Sequence, residues 1–154
     1  MPVYAADFLR TLSTTASWGS FGASSGTQTR RIKLLYMIGG HEATPADAAI
    51  QFTAMRYTAA GTSTAVIPTK LDPADPAMLG VAGENHTVEP TYVTGPPALI
   101  VLNFSYHQRQ GFVYYAPPGA EITVAAINAE GVGFQTDTIS SGTPAGTMTV
   151  HLLE

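Results

Sequence analysis

Short apolar runs separated by turn-forming residues constrain this chain more than any other sequence feature. Eight of these runs are rich in Val, Ile, Thr, Tyr and Phe, which suit a pleated, half-buried surface. Pro, Gly and Asp separate them about every ten residues, and no long amphipathic helix is visible. The pattern predicts an all-β protein with a single antiparallel β-sandwich or jelly roll of about eight strands. The candidate strands are Arg31–Ile38, Ile50–Thr58, Thr64–Thr69, Thr87–Val93, Ala98–Ser105, Gly111–Ala116, Glu121–Ile127 and Thr147–Leu153.

Two patterns indicate which faces of these strands are buried. Gln51–Tyr57 and Glu121–Val124 alternate apolar and polar residues, as strands with one solvated face do. Leu99–Leu102 is apolar throughout, which predicts a central strand buried on both faces. Asn85 and Asn103 each begin an N-glycosylation pattern. Both matches are interpreted as chance, because no secretion signal is visible and Asn103 falls within an apparently buried strand.

The first 28 residues differ in composition from the remainder of the chain. A short apolar stretch from Val3 to Leu12 is followed by a run of Ser, Thr, Ala and Gly without helical period. Trp18 and Phe21 are the only large side chains in that run. We therefore expect residues 1–28 to form an extended N-terminal arm or loop, pinned to a surface at two points, and residues 29–154 to form the sandwich.

Charged residues are scarce, at 12% of the 154 residues with a net charge of −4, against about 25% in typical soluble proteins. This balance excludes a charge-driven disordered chain and argues against direct nucleic-acid binding. The absence of cysteine excludes a disulfide framework. No apolar stretch is long enough to span a membrane, and Met1–Asp7 lacks the features of a signal peptide. We therefore expect no membrane partner and assembly inside a cell.

The scarcity of charge also predicts partners. A free domain usually keeps about 25–35% of its surface residues charged, which opposes association. A surface of Thr, Ser, Ala, Gly and scattered apolar groups needs little charge desolvation on docking. The composition therefore favours a subunit of a lattice or of a closed homo-oligomer.

Candidate metal ligands are sparse and ambiguous. His86, with Glu84 before it and Glu89 after it, has the residue types for a divalent cation site, but the same residues are typical of a polar loop feeding a strand. Asp72 and Asp75 each precede a proline, which predicts a rigid loop rather than a Ca²⁺ site, because Ca²⁺ takes six to eight oxygens. No metal ligand is assigned. A polar loop is the favoured interpretation for the first set, and a rigid loop for the second.

Catalytic signals are also missing from the sequence. There is no nucleophile-elbow serine, no phosphate-binding glycine loop and no His-x-His pair of the kind a cupin-like enzyme would carry. We therefore expect a protein that is not an enzyme, with no catalytic residues and no cofactor. Tyr106, Tyr114 and Tyr115, near a probable hairpin, would suit a carbohydrate-binding platform, although cross-strand and core packing explains such tyrosines more often.

Four segments of the chain, most of them turn motifs, form a recognisable set. The motifs are Lys-Leu-Asp-Pro-Ala-Asp-Pro-Ala at 70–77, Asn-His-Thr-Val-Glu-Pro-Thr at 85–91, Tyr-Ala-Pro-Pro-Gly-Ala-Glu-Ile at 115–122 and Gly-Val-Gly-Phe-Gln at 131–135. This set resembles small structural proteins of tailed bacteriophages, and the similarity spans roughly residues 30–154.

The resemblance implies a β-sandwich component of the virion that decorates or cements the phage head, without catalytic residues. Expected partners are the major capsid protein or other virion proteins, and copies of the chain itself, with a trimer favoured. The expected location is the virion, assembled in the host cytoplasm. A tail, connector or fibre-base component, or a carbohydrate-binding module, remains an alternative.

Overall fold

The computed structural model describes residues 1–11, 17–23, 29–42, 45–93, 100–139 and 145–154, with only the backbone described at 137–139. These residues form thirteen strands in two antiparallel sheets. The strands are β1 (Val3–Thr11), β2 (Ser17–Gly22), β3 (Ile32–His41), β4 (Ala49–Ala59), β5 (Thr62–Val66), β6 (Thr69–Lys70), β7 (Val81–Val88), β8 (Thr91–Tyr92), β9 (Ile100–His107), β10 (Phe112–Tyr115), β11 (Ile122–Val124), β12 (Gly131–Ile139) and β13 (Ala145–Leu153).

The first sheet, called sheet A, has the strand order β10-β3-β13-β1-β6. Strand β11 also pairs with β3, so that β10 and β11 follow one another along the same edge. The long central pairings are β13 with β3 and β1 with β13. Sheet A therefore brings the two ends of the described chain together as neighbouring strands.

The second sheet, called sheet B, has the order β5-β7-β2-β12-β4-β8. Strand β9 pairs with β4 over Ala49–Met55, next to β8, which pairs with the end of β4. The two-residue connection Ala60–Gly61 joins β4 to β5. Gly61 has φ +70°, and a side chain there would also meet the backbone of Val88 and Glu89, so glycine suits this tight turn.

The hydrophobic core lies between the two sheets and draws its large side chains from both. Phe8 of β1 packs against Phe134 of β12 with 6.3 Å between ring centroids, which links sheet A to sheet B. Gly19 makes room for the ring of Phe8, since a Cβ at that position would collide with it. The large, fully buried members of the core are Phe8, Trp18, Phe21, Ile32, Leu34, Met37, Ile50, Phe52, Phe134 and Met148.

The expected fold class is confirmed at the level of an all-β chain with two antiparallel sheets, an arrangement consistent with a β-sandwich. The expectation of about eight strands is not met, because the described residues form thirteen. Strand β12 contains Gly131 and Gly133 and was expected to be a turn. Its glycines face away from the core, while the alternate residues Val132 and Phe134 are fully buried.

The expectation of an extended N-terminal arm is wrong for the described part of residues 1–28. Strand β1 lies between β13 and β6 in sheet A, and β2 lies between β7 and β12 in sheet B. Trp18 and Phe21 are not surface anchors but fully buried core residues. The Trp18 indole Nε1 donates a hydrogen bond to the Gly146 carbonyl, 3.0 Å away, which satisfies its buried donor.

A second expectation is also wrong, namely that Leu99–Leu102 belongs to a central strand. Leu99 lies outside the described residues, and residues 100–102 begin β9, which among the described strands pairs with β4 alone. Ile100 is 44% exposed. Asn103, expected to be buried, is exposed and accepts a hydrogen bond from Gln51 Nε2 at 3.1 Å.

Candidate functional site

A partly apolar surface lies on the outer side of sheet A, on strands β10, β3 and β13. Six residues from three adjacent strands form it in two rows across the sheet. Tyr115, Tyr36 and His151 lie opposite one another in the first row, and Val113, Ile38 and Thr149 in the second. We call these six residues the sheet A face.

Aromatic contacts organise the first row of the sheet A face. The ring centroids of Tyr36 and Tyr115 are 5.4 Å apart in an edge-to-face arrangement. The Tyr36 ring also lies 5.2 Å from the His151 ring. Tyr115 is nevertheless 75% exposed. The row is therefore ordered by its own contacts and still open to solvent.

The second row is apolar and exposed. Val113 is 63% exposed and Ile38 is 42% exposed, although both are β-branched residues on paired strands. Their chain neighbours Met37 and Phe112 point to the opposite side, toward the core. Scattered exposed apolar residues are ordinary on a protein surface, whereas adjacent ones mark contact surfaces.

The charged residues closest to the sheet A face are already engaged. Asp7 of β1 accepts a hydrogen bond from the Thr149 hydroxyl. Lys33 forms an ion pair with Glu121 at 3.6 Å, beyond the row that contains Tyr36. The six residues themselves include no Lys, Arg, Asp or Glu, but the exposed Asp7 lies directly opposite Thr149 at their border.

A shallow groove of about 340 Å³ adjoins the face and is lined by Ile38, Gly39, Gly40 and residues 147–149. The two glycines differ in their surroundings. A Cβ at Gly39 would collide with the ring of Phe112, whereas at Gly40 it would have only Gly111 within 4 Å. The groove therefore exists because Gly40 carries no side chain, and it widens the surface available to a partner.

Two tyrosines of the chain itself cover glycines on the outer side of sheet B. Tyr57 lies over Gly22 and Gly131, and Tyr92 lies over Gly133. Any side chain at Gly131 or Gly133 would collide with a tyrosine ring or hydroxyl. Tyr57 is only 2% exposed, and its burial raises the pKa of its hydroxyl to about 12.

Buried polar groups pair with one another beneath these tyrosines. The hydroxyls of Ser17 and Tyr92 are 2.5 Å apart, and the Ser20 hydroxyl lies 3.0 Å from Nε2 of His86. Burial lowers the pKa of His86, and its Nδ1 has no hydrogen-bond partner. Burial also raises the pKa of Tyr92. The cluster thus favours neutral side chains.

Arg10 and Glu89 close the edge of this cluster. The Arg10 guanidinium donates to the Ser17 carbonyl at 2.7 Å and to the His86 carbonyl at 3.2 Å. It also lies 3.3 Å from the Glu89 carboxylate, which accepts a hydrogen bond from the Ser17 amide. These contacts tie strand β1 of sheet A to strands β2 and β7 of sheet B.

The residues considered as metal ligands are engaged separately. His86 bonds to Ser20, Glu84 accepts from the Leu9 amide at 2.7 Å, and Glu89 pairs with Arg10. Asp72 accepts a hydrogen bond from the Ala74 amide at 2.9 Å, within a turn. Within the described part of the chain, no group of three or more His, Cys, Asp and Glu residues is placed to hold a metal ion.

The three tyrosines considered for carbohydrate binding do not form one platform. Tyr106 is 7% exposed, and its hydroxyl lies 3.1 Å from Nε2 of His41. The His41 ring is stacked between Tyr106 and Trp18. Tyr114 packs against the core, and Tyr115 alone projects outward. Only Tyr115 therefore belongs to the exposed surface.

Sequence reasoning identified part of the sheet A face. Tyr115 was considered for an exposed binding platform, and it does lie on the outer side together with His151. Tyr36, Ile38 and Val113 were not singled out. The alternation of Phe112, Val113, Tyr114 and Tyr115 contains the signal, because one of each adjacent pair must leave the core.

Comparison with known proteins gives no match: no family model, no curated protein and no solved structure is similar to this chain. In the ranges that the structure covers, no helix has the length and apolar character needed to cross a bilayer.

Proposed function

We propose that this chain is a non-enzymatic structural protein of a virion, most specifically a decoration or cement protein on the head of a tailed bacteriophage. In this proposal its two sheets pack as a jelly-roll-like sandwich, and it acts as a small closed homo-oligomer. The main support is the sheet A face, an ordered and exposed surface without formal charge. The turn motifs at 70–77, 85–91, 115–122 and 131–135 support the phage assignment through resemblance.

The proposed mechanism is the burial of the sheet A face across neighbouring shell subunits. Full burial of an exposed Val or Ile side chain contributes about 1.5–3 kcal/mol, and Val113 and Ile38 are both exposed. The hydroxyls of Tyr36 and Tyr115 remain available for hydrogen bonds at the rim. Added contact area would hold adjacent shell subunits together against internal pressure.

The loop at residues 71–77 is a second proposed contact element. Leu71 is 52% exposed, and Ile67, just before the loop, is 88% exposed. Asp72 accepts hydrogen bonds from the amides of Ala74 and Asp75, which form a turn in this loop. The N-terminal strands are not proposed as contact elements, because β1 and β2 are internal strands of the two sheets.

The direct test compares two matched substitutions in a particle-binding assay. Val113→Asp places a charge on the sheet A face, and Val88→Asp places one at the 58% exposed Val88 of sheet B. We expect Val113→Asp to lower occupancy on particles of the encoding phage at least tenfold, and Val88→Asp to leave it unchanged. Equal occupancy for both variants and the wild type would contradict the proposed surface.

The location of this protein within the virion distinguishes decoration of the head from a role in the tail, the connector or the fibre base. Labelled protein seen on the head in virion images supports decoration. Signal at the tail, the connector or the fibre base would instead assign the chain to that part.

Carbohydrate binding is the second candidate function, and the open ring of Tyr115 beside Tyr36 favours it. Sugars stack on exposed aromatic rings of this kind. A glycan array with the wild type and with Tyr115→Ala tests the candidate. Binding that Tyr115→Ala removes would support it, and an array without any binding would retire it.

A further inference from the structure

Strand β9 is the longest strand at a sheet edge in the described parts of the chain. Its eight residues span about 26 Å at about 3.3 Å per residue. The other edge strands are shorter, from five residues in β5 to two in β6 and β8. Apart from the pairing with β4, no backbone hydrogen bond joins Ile100–Tyr106 to another described residue. Among the described residues, the outer edge of β9 thus presents a row of backbone groups without a pairing strand.

This edge lacks the features that prevent pairing with another chain. Natural edge strands are blunted by charged residues, by proline or by extreme shortness. The sequence Ile-Val-Leu-Asn-Phe-Ser-Tyr-His at 100–107 contains neither proline nor a Lys, Arg, Asp or Glu residue. His107, at the end of the strand, lies 2.9 Å from the Asp47 carboxylate.

Side chains on both faces of β9 suit a neighbouring strand. Asn103 and Ser105 are exposed, while Leu102 and Phe104 are half-buried and pack against the core. A strand added beside β9 would cover more of Leu102 and Phe104. It would also place neutral polar partners opposite Asn103 and Ser105 if it had the same sequence.

An antiparallel edge is complementary to a copy of itself. Its free N–H and C=O groups alternate, so a second copy rotated by 180° presents an acceptor to each donor. Such a contact is isologous, and the same residues serve both partners. Because β9 carries no Lys, Arg, Asp or Glu, two copies place no formal charges of this kind opposite each other. The self-complementary edge therefore favours a second copy of this chain as its occupant.

We propose that two copies of this chain associate through their β9 edges, which joins the two B sheets across a twofold axis. This inference deepens the proposed assembly role by naming the surface of self-association. It predicts an even-numbered oligomer instead of the trimer expected from the sequence. The contact uses the edge of sheet B and leaves the sheet A face free for another partner.

The mass of the purified full chain in solution tests this contact. We expect sedimentation equilibrium to give twice the 16.1 kDa chain mass. Ser105→Lys places two like charges near the twofold axis and should shift the protein to monomer. Thr64→Lys, at an exposed position of β5 on the opposite edge of the same sheet, is the matched control and should leave the dimer intact.

Disulfide trapping provides an independent readout that does not require loss of a contact. The chain has no cysteine, so any disulfide in Asn103→Cys or Ser105→Cys comes from the introduced residue. Two Cα atoms must approach to about 4.4–6.8 Å for the bond to form. We expect at least one of the two variants to give a covalent dimer under mild oxidation, and Thr64→Cys to give none.

The outcomes separate this inference from the proposed function. A monomeric wild type, or a dimer that neither Ser105→Lys nor trapping affects, would overturn the β9 contact. If Val113→Asp still abolished particle binding in that case, the proposed function would stand alone. A β9 dimer that binds no particle would leave the edge contact intact and remove the virion assignment.

Discussion

The two outer faces of this protein differ in how far their tyrosines are buried. On sheet B, the hydroxyl ends of Tyr57 and Tyr92 lie over glycines, and the Tyr92 hydroxyl is hydrogen-bonded to Ser17. On sheet A, Tyr115 stands in solvent beside Tyr36. Glycine leaves a space on sheet B that a tyrosine side chain fills, whereas Tyr115 lies opposite Tyr36 and packs edge-to-face against its ring at the surface.

The two outer faces differ in how much of their aromatic and polar area the chain itself covers. The closed side of sheet B has buried its aromatic area and paired most of its buried polar groups, so a partner would gain little there. The sheet A face has the same kind of residues but no covering segment in the described chain. Under the proposed function, another protein would bury the sheet A face.

The largest effect is expected from filling the space beneath the sheet B tyrosines. Gly131→Val would collide with Tyr57 and with the Phe21 carbonyl, and overpacking of this kind costs up to about 3 kcal/mol. Gly40→Val on sheet A has open space around its Cβ and should change stability by less than about 0.5 kcal/mol. Urea unfolding measures both values. Similar losses of stability for the two variants would contradict the proposed difference between the two faces.

A smaller effect is expected from removing one tyrosine hydroxyl. Tyr92→Phe deprives the buried Ser17 hydroxyl of its partner, and an unsatisfied buried group costs about 1–2 kcal/mol. Tyr115→Phe removes an exposed hydroxyl and should leave the free energy of unfolding unchanged. Thermal unfolding of the two variants measures the difference. A loss at Tyr115 equal to that at Tyr92 would show that sheet A is as closed as sheet B.

The smallest expected effect is a pH dependence of the stability that arises from His86 on the sheet B side. Burial lowers the pKa of His86 below its ordinary value of 6.5, with Glu89 opposing and Arg10 adding to this shift. The unfolded chain therefore binds more protons just below pH 6.5, and stability falls as the pH falls through that region. His86→Gln should reduce the loss between pH 7 and pH 5 in urea unfolding. His41, whose pKa burial also lowers, should account for part of the remaining loss. An unchanged slope in His86→Gln would show that His86 does not stay neutral on folding.

The all-β class could be predicted from the sequence because the local signals agree with it. Val, Ile, Thr and aromatic residues alternate between turn residues in most of the strands. Strands β3, β4, β10 and β13 were found where this alternation is strong.

Strands β1, β2 and β12 show where local signals fail. Strand β2 is buried on both faces although it contains Ser17, Gly19 and Ser20, because Phe8 needs the space over Gly19 and Tyr92 needs the Ser17 hydroxyl. These requirements come from residues more than ten positions away in the chain. A propensity for loops in the segment was overridden by tertiary packing.

The sheet A face was harder to predict because it depends on pairing between distant strands. Tyr36, Tyr115 and His151 meet only when β3, β10 and β13 are neighbours with the observed register. A shift of one residue would have sent Tyr115 to the core and Tyr114 to the surface. The sequence therefore indicated that some apolar side chains are exposed, but it did not indicate which of them lie next to one another on one face.

The most direct measurement of the central claim is the reactivity of two introduced cysteines in free and particle-bound protein. The chain has no cysteine, so Val113→Cys and Val88→Cys each give one thiol on an exposed apolar position of a different sheet. We predict that particle binding slows alkylation of the Val113→Cys variant at least tenfold and leaves that of Val88→Cys unchanged. Equal alkylation of Val113→Cys in the free and bound protein would contradict the account.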